Sequence, residues 1–212
     1  MTNKIQAIIF DMDGVLIDAR DWHYDALNQA LALFGLEIAR HDHLSKFDGL
    51  PTRDKLSILS EEKGLPPALH GFINQLKQKY TLDIVCRHCR PVFHHEFALS
   101  RLRHEGYRLA VASNSIRDSI GMMLSRACLL DNFEFFLSNQ DVTRGKPAPE
   151  IYQKAIARLG LLPHQCLVVE DNENGIRAAT ESGAYVMKVT GVSEVNYGNI
   201  KNYIRAIEGH SQ

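Results

Sequence analysis

The sequence has little of three features that would assign a protein to a special class: long apolar runs, an excess of one charge, and paired cysteines. Its 24 Lys and Arg residues and 25 Asp and Glu residues leave a formal net charge of −1, with both signs mixed along the chain. This balance gives no electrostatic argument for binding nucleic acid or an anionic membrane. No apolar run approaches the roughly 20 residues needed to span a bilayer. We therefore expect no nucleic-acid partner and no membrane association.

The four cysteines favour scattered thiols over a metal site or a redox centre. Cys86 and Cys89 form a CxxC pair with His94 and His95 nearby, but no second pair completes the four ligands of a structural zinc site. A redox CxxC normally begins a helix that follows a strand, and the residues around this pair support that arrangement poorly. We interpret the cysteines as scattered reduced thiols.

The length and the first residues set further expectations. A chain of 212 residues with 45% hydrophobic content can bury a substantial core in one or two domains. Residues 1–4 lead straight into an apolar segment and leave no room for a secretory signal, so we expect a cytoplasmic protein. There are no internal repeats or low-complexity tracts. For the oligomeric state, we expect a monomer.

The stretch from Ile8 to Val15 predicts a buried strand that ends at a functional site. Residues 5–10 are mostly apolar and rich in β-branched side chains, which is typical of a strand buried on both faces of a parallel sheet. Asp11 and Asp13 follow at the carboxyl end, where open α/β sheets bind ligands. Two carboxylates one residue apart repel each other, and a bound cation relieves that repulsion. Gly14 allows the chain to turn away from the strand in a conformation closed to other residues.

Helical patterns follow this strand before another strand is indicated. Apolar spacing predicts helices over residues 22–34, 52–64 and 66–80. Asp21 is the predicted N-cap of the first. Because no strand separates these helices, we predict a helical subdomain over residues 17–85, inserted into a core of residues 1–16 and 86–212.

From Val92 the sequence alternates between helix and strand. The predicted strands are residues 107–112, 133–137, 166–169 and 184–189, and the predicted helices are 92–105, 115–124, 150–159 and 175–182. Asn114 or Ser115 is the predicted cap of the 115–124 helix, and the tail from Ile200 is weakly helical. Repeated strand–helix units predict an α/β fold with a doubly wound parallel sheet and right-handed crossovers.

Polar residues follow the carboxyl ends of the predicted strands, which share one edge of the sheet. They are Asp11, Asp13, Ser113, Asn114, Lys146, Glu170 and Asp171. Carboxylates suit Mg²⁺, which takes oxygen ligands. A hydroxyl, the N–H groups at a helix start and a lysine suit the oxygens of a phosphoryl group. The set predicts phosphoryl transfer, in which a protein mainly positions groups and stabilises charge.

The segments FDMDGVL, VASNS, GKPAPEIY and VVEDNENG, in this order, resemble the four motifs of the haloacid dehalogenase superfamily. The inserted helices resemble the cap of its β-phosphoglucomutase-like branch, and the resemblance covers nearly the whole chain. It implies a Rossmann-like core in which Asp11 is the nucleophile that forms an aspartyl phosphate. Asp13 would protonate the leaving oxygen and then deprotonate the attacking water. An Asp in that place argues for phosphate-ester chemistry, because the dehalogenase and phosphonatase branches lack it.

The resemblance also implies which residues bind the phosphoryl group and the metal. The implied phosphoryl-binding residues are Ser113, Asn114 and Lys146, and the implied Mg²⁺ ligands are Asp11, Asp13 through its carbonyl, Asp171 and Glu170. Two positions depart from the usual pattern: Asn172 replaces a small residue after the acidic pair, and Ala19 replaces Ser or Thr. The change at Ala19 weakens any assignment of the substrate by analogy.

These implications predict a Mg²⁺-dependent phosphatase acting on a small phosphorylated metabolite, a sugar phosphate. The alternative is a sugar phosphomutase, because residues 49–53 resemble the cap segment of that enzyme. Arg53 and His23 are the candidate substrate contacts in the cap. A response-regulator receiver also uses a phosphorylated Asp and a Lys-Pro pair, but it is smaller and has no helical insert.

Overall fold

The structure is a computed structural model that describes residues 4–47 and 50–209. It divides into two compact units. The core unit consists of the chain up to Asp18 and from Arg90 onwards, and the cap unit is Ala19–Cys89. The sequence predicted the insert over residues 17–85.

A five-stranded parallel sheet forms the centre of the core unit, with strand order β3-β2-β1-β4-β5 in the described part of the chain. The strands are β1 Ala7–Phe10, β2 Arg108–Ala112, β3 Phe135–Leu137, β4 Cys166–Glu170 and β5 Tyr185–Lys188. β1 lies in the middle, where Ile9 is opposite Ala110 of β2 and Val168 of β4. The predicted α/β class with a parallel, Rossmann-like sheet is confirmed.

The alternation of side chains explains why β1 is apolar throughout. Successive residues of a strand point to opposite faces, so a sheet covered on both faces needs apolar residues at every position. Ala7 and Ile9 lie in an apolar cluster with Cys166 and Val168 of β4 and with two helices, α7 Glu150–Leu159 and α8 Glu173–Glu181. Burying each large aliphatic side chain contributes roughly 1.5–3 kcal/mol.

The other helices of the core unit are α5 Phe93–His104, α6 Arg117–Arg126 and α9 Tyr197–Gly209. One prediction here is wrong. The N-cap of α6 is Ile116, which makes no side-chain capping bond, because the Asn114 and Ser115 side chains bind other partners. The tail forms α9, a regular helix that buries Ile200 and Ile204 and contacts α5.

The cap unit contains four α-helices in the described residues. They are α1 Arg20–Ala32, α2 Arg40–Asp42, α3 Thr52–Lys63 and α4 His70–His88, with a π-helical turn at His43–Phe47 after α2. Their apolar core contains Leu27, Leu31, Ile38, Leu56, Leu59 and Ile73. The N-cap of α1 is Ala19 instead of the predicted Asp21, which pairs with Arg40. Among the described residues, no helix has the length and apolar character required to cross a bilayer.

Helix α4 extends beyond its predicted end at Tyr80, and it buries Ile73, Thr81 and Val85. Cys86 lies in its last turn and Cys89 directly follows it. The CxxC pair is therefore at the end of a helix, not at the helix start that a redox pair occupies.

Candidate active site

Asp11 and Asp13 follow the carboxyl end of β1, and Met12 between them is fully buried. The Asp11 N–H donates to the Val169 carbonyl at 3.0 Å, which continues the pairing of β1 with β4. The chain then turns sharply, with the Gly14 N–H donating to the Ile17 carbonyl at 2.7 Å. Gly14 has φ of 85°, a left-handed conformation that side chains with a Cβ rarely adopt.

Lys146 connects two buried carboxylates. Its Nζ donates to Asp11 Oδ1 and to Glu170 Oε1, each at 2.6 Å. Burial alone would lower the pKa of Lys146, but the two carboxylates outweigh it and raise that pKa above the ordinary value. Burial raises the pKa of Asp11, and Lys146 opposes that rise, while Glu170 and Asp13 add to it. This cation therefore offsets a concentration of negative charge.

Glu170 ends β4 and is surrounded by donors. Its Oε1 accepts from Lys146 Nζ and from the Tyr152 hydroxyl at 2.6 Å. Its Oε2 accepts from the backbone N–H groups of Asp171 at 3.1 Å and of Asn172 at 3.4 Å. A Cβ on Gly175 of α8 would lie only 1.8 Å from Oε1, so the carboxylate occupies space that only glycine leaves open.

Asp13 contacts the serines that follow β2. The Ser115 hydroxyl donates to Asp13 Oδ2 at 2.8 Å, and the buried Ser113 hydroxyl lies 3.5 Å from the same oxygen. Ser113 also accepts from the Ser115 N–H at 3.0 Å. These two hydroxyls hold Asp13, whereas Lys146 pairs with Asp11. The two carboxyl groups have environments suited to different chemistry.

Asn114 and Glu150 fix the loop that carries Lys146. The Asn114 side chain accepts from the Lys146 N–H at 3.0 Å and donates to the Lys146 carbonyl at 3.3 Å. Glu150, in the first turn of α7, accepts from the backbone N–H groups of Thr143 and Arg144 at 2.9 Å. These two bonds and an ion pair with Lys154 lower the pKa of Glu150 to about 2, the bond from Lys154 being the largest cause.

The carboxylates of the site are suited to a divalent cation. Oxygen atoms of Asp11, Glu170 and Asp171 lie within 4.8 Å of one another, and this is the only such group of three or more possible ligands in residues 4–47 and 50–209. A donor set made only of carboxylate oxygens fits Mg²⁺, not a soft metal. Gly14 is again required, since a Cβ there would lie 2.1 Å from Asp171 Oδ2.

The two candidate substrate contacts of the cap unit have different surroundings. The Arg53 side chain is 85% exposed, and its Nε donates to Asp54 Oδ1 at 3.2 Å. His23 on α1 lies with its Nδ1 3.1 Å from Lys77 Nζ of α4. The segment that resembles the cap of the mutase begins at Gly49, which lies outside the described residues.

Sequence reasoning missed three residues of this site: Ser115, Tyr152 and Gly175. Ser115 was interpreted as a helix cap, although the Ser-Asn-Ser string at a strand end offers a second hydroxyl to the site. Tyr152 and Gly175 are the last residues of the GKPAPEIY and VVEDNENG motifs, which was the available signal, but the motifs assign them no role and they look like ordinary buried positions of α7 and α8. Only their approach to Glu170 reveals their role.

The fold and the site define a hydrolase-type α/β enzyme with a carboxylate-rich centre at the edge of a parallel sheet. A family model described as haloacid dehalogenase-like hydrolase matches residues 8–189. The chain belongs to this family, which confirms the resemblance drawn from the four motifs.

Similar proteins extend over most of the chain. It is 28% identical over 182 residues to a phosphorylated carbohydrates phosphatase of Thermotoga maritima, covering 84% of this chain and 82% of the relative. It is 27% identical over 179 residues to a phosphoglycolate phosphatase of Aquifex aeolicus, with the same coverage. A β-phosphoglucomutase structure from Clostridium difficile has a TM-score of 0.82 at 20% identity and covers 95% of this chain and 98% of its own, which shows the shared fold. The family and the phosphatases support a phosphoric monoester hydrolase.

Proposed function

We propose that the protein is a Mg²⁺-dependent phosphatase that hydrolyses a small phosphorylated metabolite, a sugar phosphate, through an aspartyl phosphate on Asp11. The observation that carries this proposal is the buried ion pair of Asp11 with Lys146, next to Asp13, a second carboxyl group that accepts hydrogen bonds from the Ser113 and Ser115 hydroxyls. The phosphorylated carbohydrates phosphatase among the relatives supports the substrate class.

Asp11 attacks the phosphorus, which forms the Asp11 O–P bond as the ester P–O bond breaks. A carboxylate and a phosphate dianion repel each other, and Lys146 reduces that repulsion from 2.6 Å away. Asp13 delivers a proton to the leaving oxygen and then removes one from the attacking water. The water oxygen bonds to phosphorus, the Asp11 O–P bond breaks, and inorganic phosphate is released.

Ser113 and Lys146 bind the phosphoryl oxygens in this proposal, together with N–H groups near Asn114. The Asn114 side chain itself holds the backbone of Lys146, so its contribution to phosphate binding is through positioning that lysine. A cytoplasmic location and a monomeric state remain predictions of the sequence.

Asp11, Asp171 and the carbonyl of Asp13 would hold Mg²⁺, which when bound supplies positive charge that offsets the charge of the phosphate. Glu170 belongs to the same carboxylate group. Its oxygens already accept four hydrogen bonds, so we assign it the pairing with Lys146 ahead of direct ligation.

A panel of phosphorylated metabolites tests the proposal by release of inorganic phosphate, with Mg²⁺ and with a chelator. We expect turnover of at least one sugar phosphate that requires Mg²⁺. A chain that releases no phosphate from any member of the panel, although folded by circular dichroism, contradicts the proposal.

A second experiment with the same enzyme shows whether water or a sugar accepts the phosphoryl group. The enzyme is incubated with β-glucose 1-phosphate, a trace of the 1,6-bisphosphate and Mg²⁺, and the products are followed by phosphorus NMR. We expect free phosphate to appear first. Glucose 6-phosphate formed faster than free phosphate would identify the phosphomutase instead.

A further inference from the structure

Tyr152 is a fully buried phenol that contacts the charged groups of the site, and none of the roles assigned above uses it. Its hydroxyl donates to Glu170 Oε1 at 2.6 Å, and Lys146 Nζ lies 4.7 Å from the centre of its ring. We propose that Tyr152 is a positioning residue of the active site: it orients Glu170 and covers Lys146, so that the ammonium group is held against Asp11.

The hydrogen bonds around Glu170 explain why a hydroxyl matters at this point. Backbone N–H groups fix Oε2, but Oε1 is held only by the side chains of Lys146 and Tyr152 among its described hydrogen bonds. Without the hydroxyl, Lys146 alone of these two side chains would hold Oε1, and the position of that oxygen would be less well defined.

The position of the Lys146 ammonium group depends strongly on partners that are themselves held in place. Its four-carbon side chain is flexible, and its ammonium group carries three donors without a preferred plane. Two of these donors reach Asp11 and Glu170, while the aromatic ring of Tyr152 lies under the charge. A cation near an aromatic ring is attracted to it, and the attraction increases when water is excluded.

The inference deepens the proposed phosphatase function and rests on it. Displacement of Lys146 should weaken its stabilisation of the charge that develops during phosphoryl transfer. Its effect on the binding of the substrate in the ground state should be smaller. For Tyr152→Phe, which keeps the ring and removes the hydroxyl, we expect kcat to fall about tenfold with KM within about twofold.

Tyr203→Phe is the matched control. The Tyr203 hydroxyl also donates a hydrogen bond of 2.6 Å, to the Val186 carbonyl of the edge strand β5. Turnover of p-nitrophenyl phosphate with Mg²⁺ is measured for the wild type and both variants. Tyr203→Phe should retain wild-type kcat, and equal effects of the two substitutions would overturn the inference.

A double variant tests whether Tyr152 acts through Glu170. Glu170→Gln removes the charge that pairs with Lys146 but keeps the shape of the side chain. If the hydroxyl acts by orienting Glu170, adding Tyr152→Phe to Glu170→Gln should lower kcat by less than about twofold further. A full tenfold further loss shows that Tyr152 acts independently and rejects the proposed route.

The crystal structure of Tyr152→Phe separates failure of this inference from failure of the proposed function. A wild type that releases no phosphate contradicts the function alone. In that case, an increase of the Lys146 Nζ to Asp11 Oδ1 distance beyond about 3.5 Å, the limit of a hydrogen bond, supports the positioning role. An unchanged ion pair in the variant overturns it.

Discussion

Asp11 and Asp13 differ in the partners described above. That difference predicts that both asparagine variants lose turnover, but that only the Asp13 variant forms an aspartyl phosphate. Asp13→Asn leaves the nucleophile and Lys146 in place, and should lower turnover roughly 10²- to 10⁴-fold through the loss of proton transfer. An activated phosphodonor with a good leaving group needs no acid, so it should still phosphorylate Asp11. The aspartyl phosphate should then accumulate and be visible by mass spectrometry, because no base activates water.

Asp11→Asn is the control for this experiment. It should form no adduct and lose at least about three orders of magnitude of turnover, with an unchanged circular dichroism spectrum. Finding no adduct on the Asp13 variant would refute the role of Asp13, whereas an active Asp11 variant would refute the covalent mechanism.

At the scale of elements, helix α8 approaches the end of β4 so closely that Gly175 has no room for a methyl group. A Cβ would lie 2.1 Å from Glu170 Cδ, so Gly175→Ala must displace the carboxylate that pairs with Lys146. We expect turnover of p-nitrophenyl phosphate to be at least about tenfold lower. The helical content should be retained, because alanine is a better helix former than glycine.

Gly121→Ala in α6 is the matched substitution, because the nearest atom to its Cβ would be Phe136 Cζ at 3.9 Å. That variant should keep its turnover, and its free energy of unfolding should rise by up to about 1 kcal/mol. Wild-type turnover in Gly175→Ala would show that the position of Glu170 is not needed.

The bond of Glu150 to the loop before Lys146 makes a stability contribution that depends on pH. Its folded-state pKa of about 2 is below the ordinary value of 4.5. A lowered pKa stabilises the folded state fully above the unfolded pKa, and this contribution is lost as the pH falls towards the folded pKa. Wild type should therefore be more stable than Glu150→Gln at pH 7, and the difference should shrink between pH 4.5 and 2.

Urea unfolding of both proteins at several pH values measures this difference. Lys154→Met removes the cation that contributes most to the lowered pKa of Glu150. In proteins that carry Lys154→Met, Glu150→Gln should therefore lower the free energy of unfolding by less than it does in the wild type. A gap that stays constant from pH 7 to pH 2.5 would contradict the assigned role of Glu150.

The sequence predicted best those helices and strands whose signals lie within the element itself. β1, β4 and α7 were predicted within a few residues, because continuous apolar runs and the Pro and Gly at the ends of α7 are local signals. The cap of α6 was wrong because Ser115 turns to Asp13, a partner remote in the sequence. The tail has only a weak helical signal because the stability of α9 comes from its packing on α5.

At the scale of the whole molecule, the proposed function predicts that Mg²⁺ stabilises the core unit by mass action, because the metal would bind the carboxylate group of the folded state and not the unfolded chain. At a hundred times its Kd, the metal should add about 2.7 kcal/mol, which corresponds to a rise in Tm of roughly 5–10 °C. Chelation should reverse the rise, and Asp171→Asn should lose most of it.

The single tryptophan makes this measurement specific. Trp22 lies in the cap unit, so its fluorescence reports that unit, whereas far-ultraviolet circular dichroism reports both. If the units unfold in separate steps, the step that responds to Mg²⁺ should be the one without the fluorescence change. A Tm that does not depend on Mg²⁺ would contradict the metal site.

The sequence by itself determined the class of fold, the family, and the strand ends at which the reactive residues lie. These follow from the periodicity of apolar residues and from short motifs such as Asp11-Met12-Asp13-Gly14, which are local properties of the chain. Only the tertiary structure decided the partner of each group: Lys146 between Asp11 and Glu170, Ser115 on Asp13, and Tyr152 beneath the lysine. Hydrogen bonds and ion pairs require approach within about 3 Å, and such distances between residues remote in the sequence are set by packing alone.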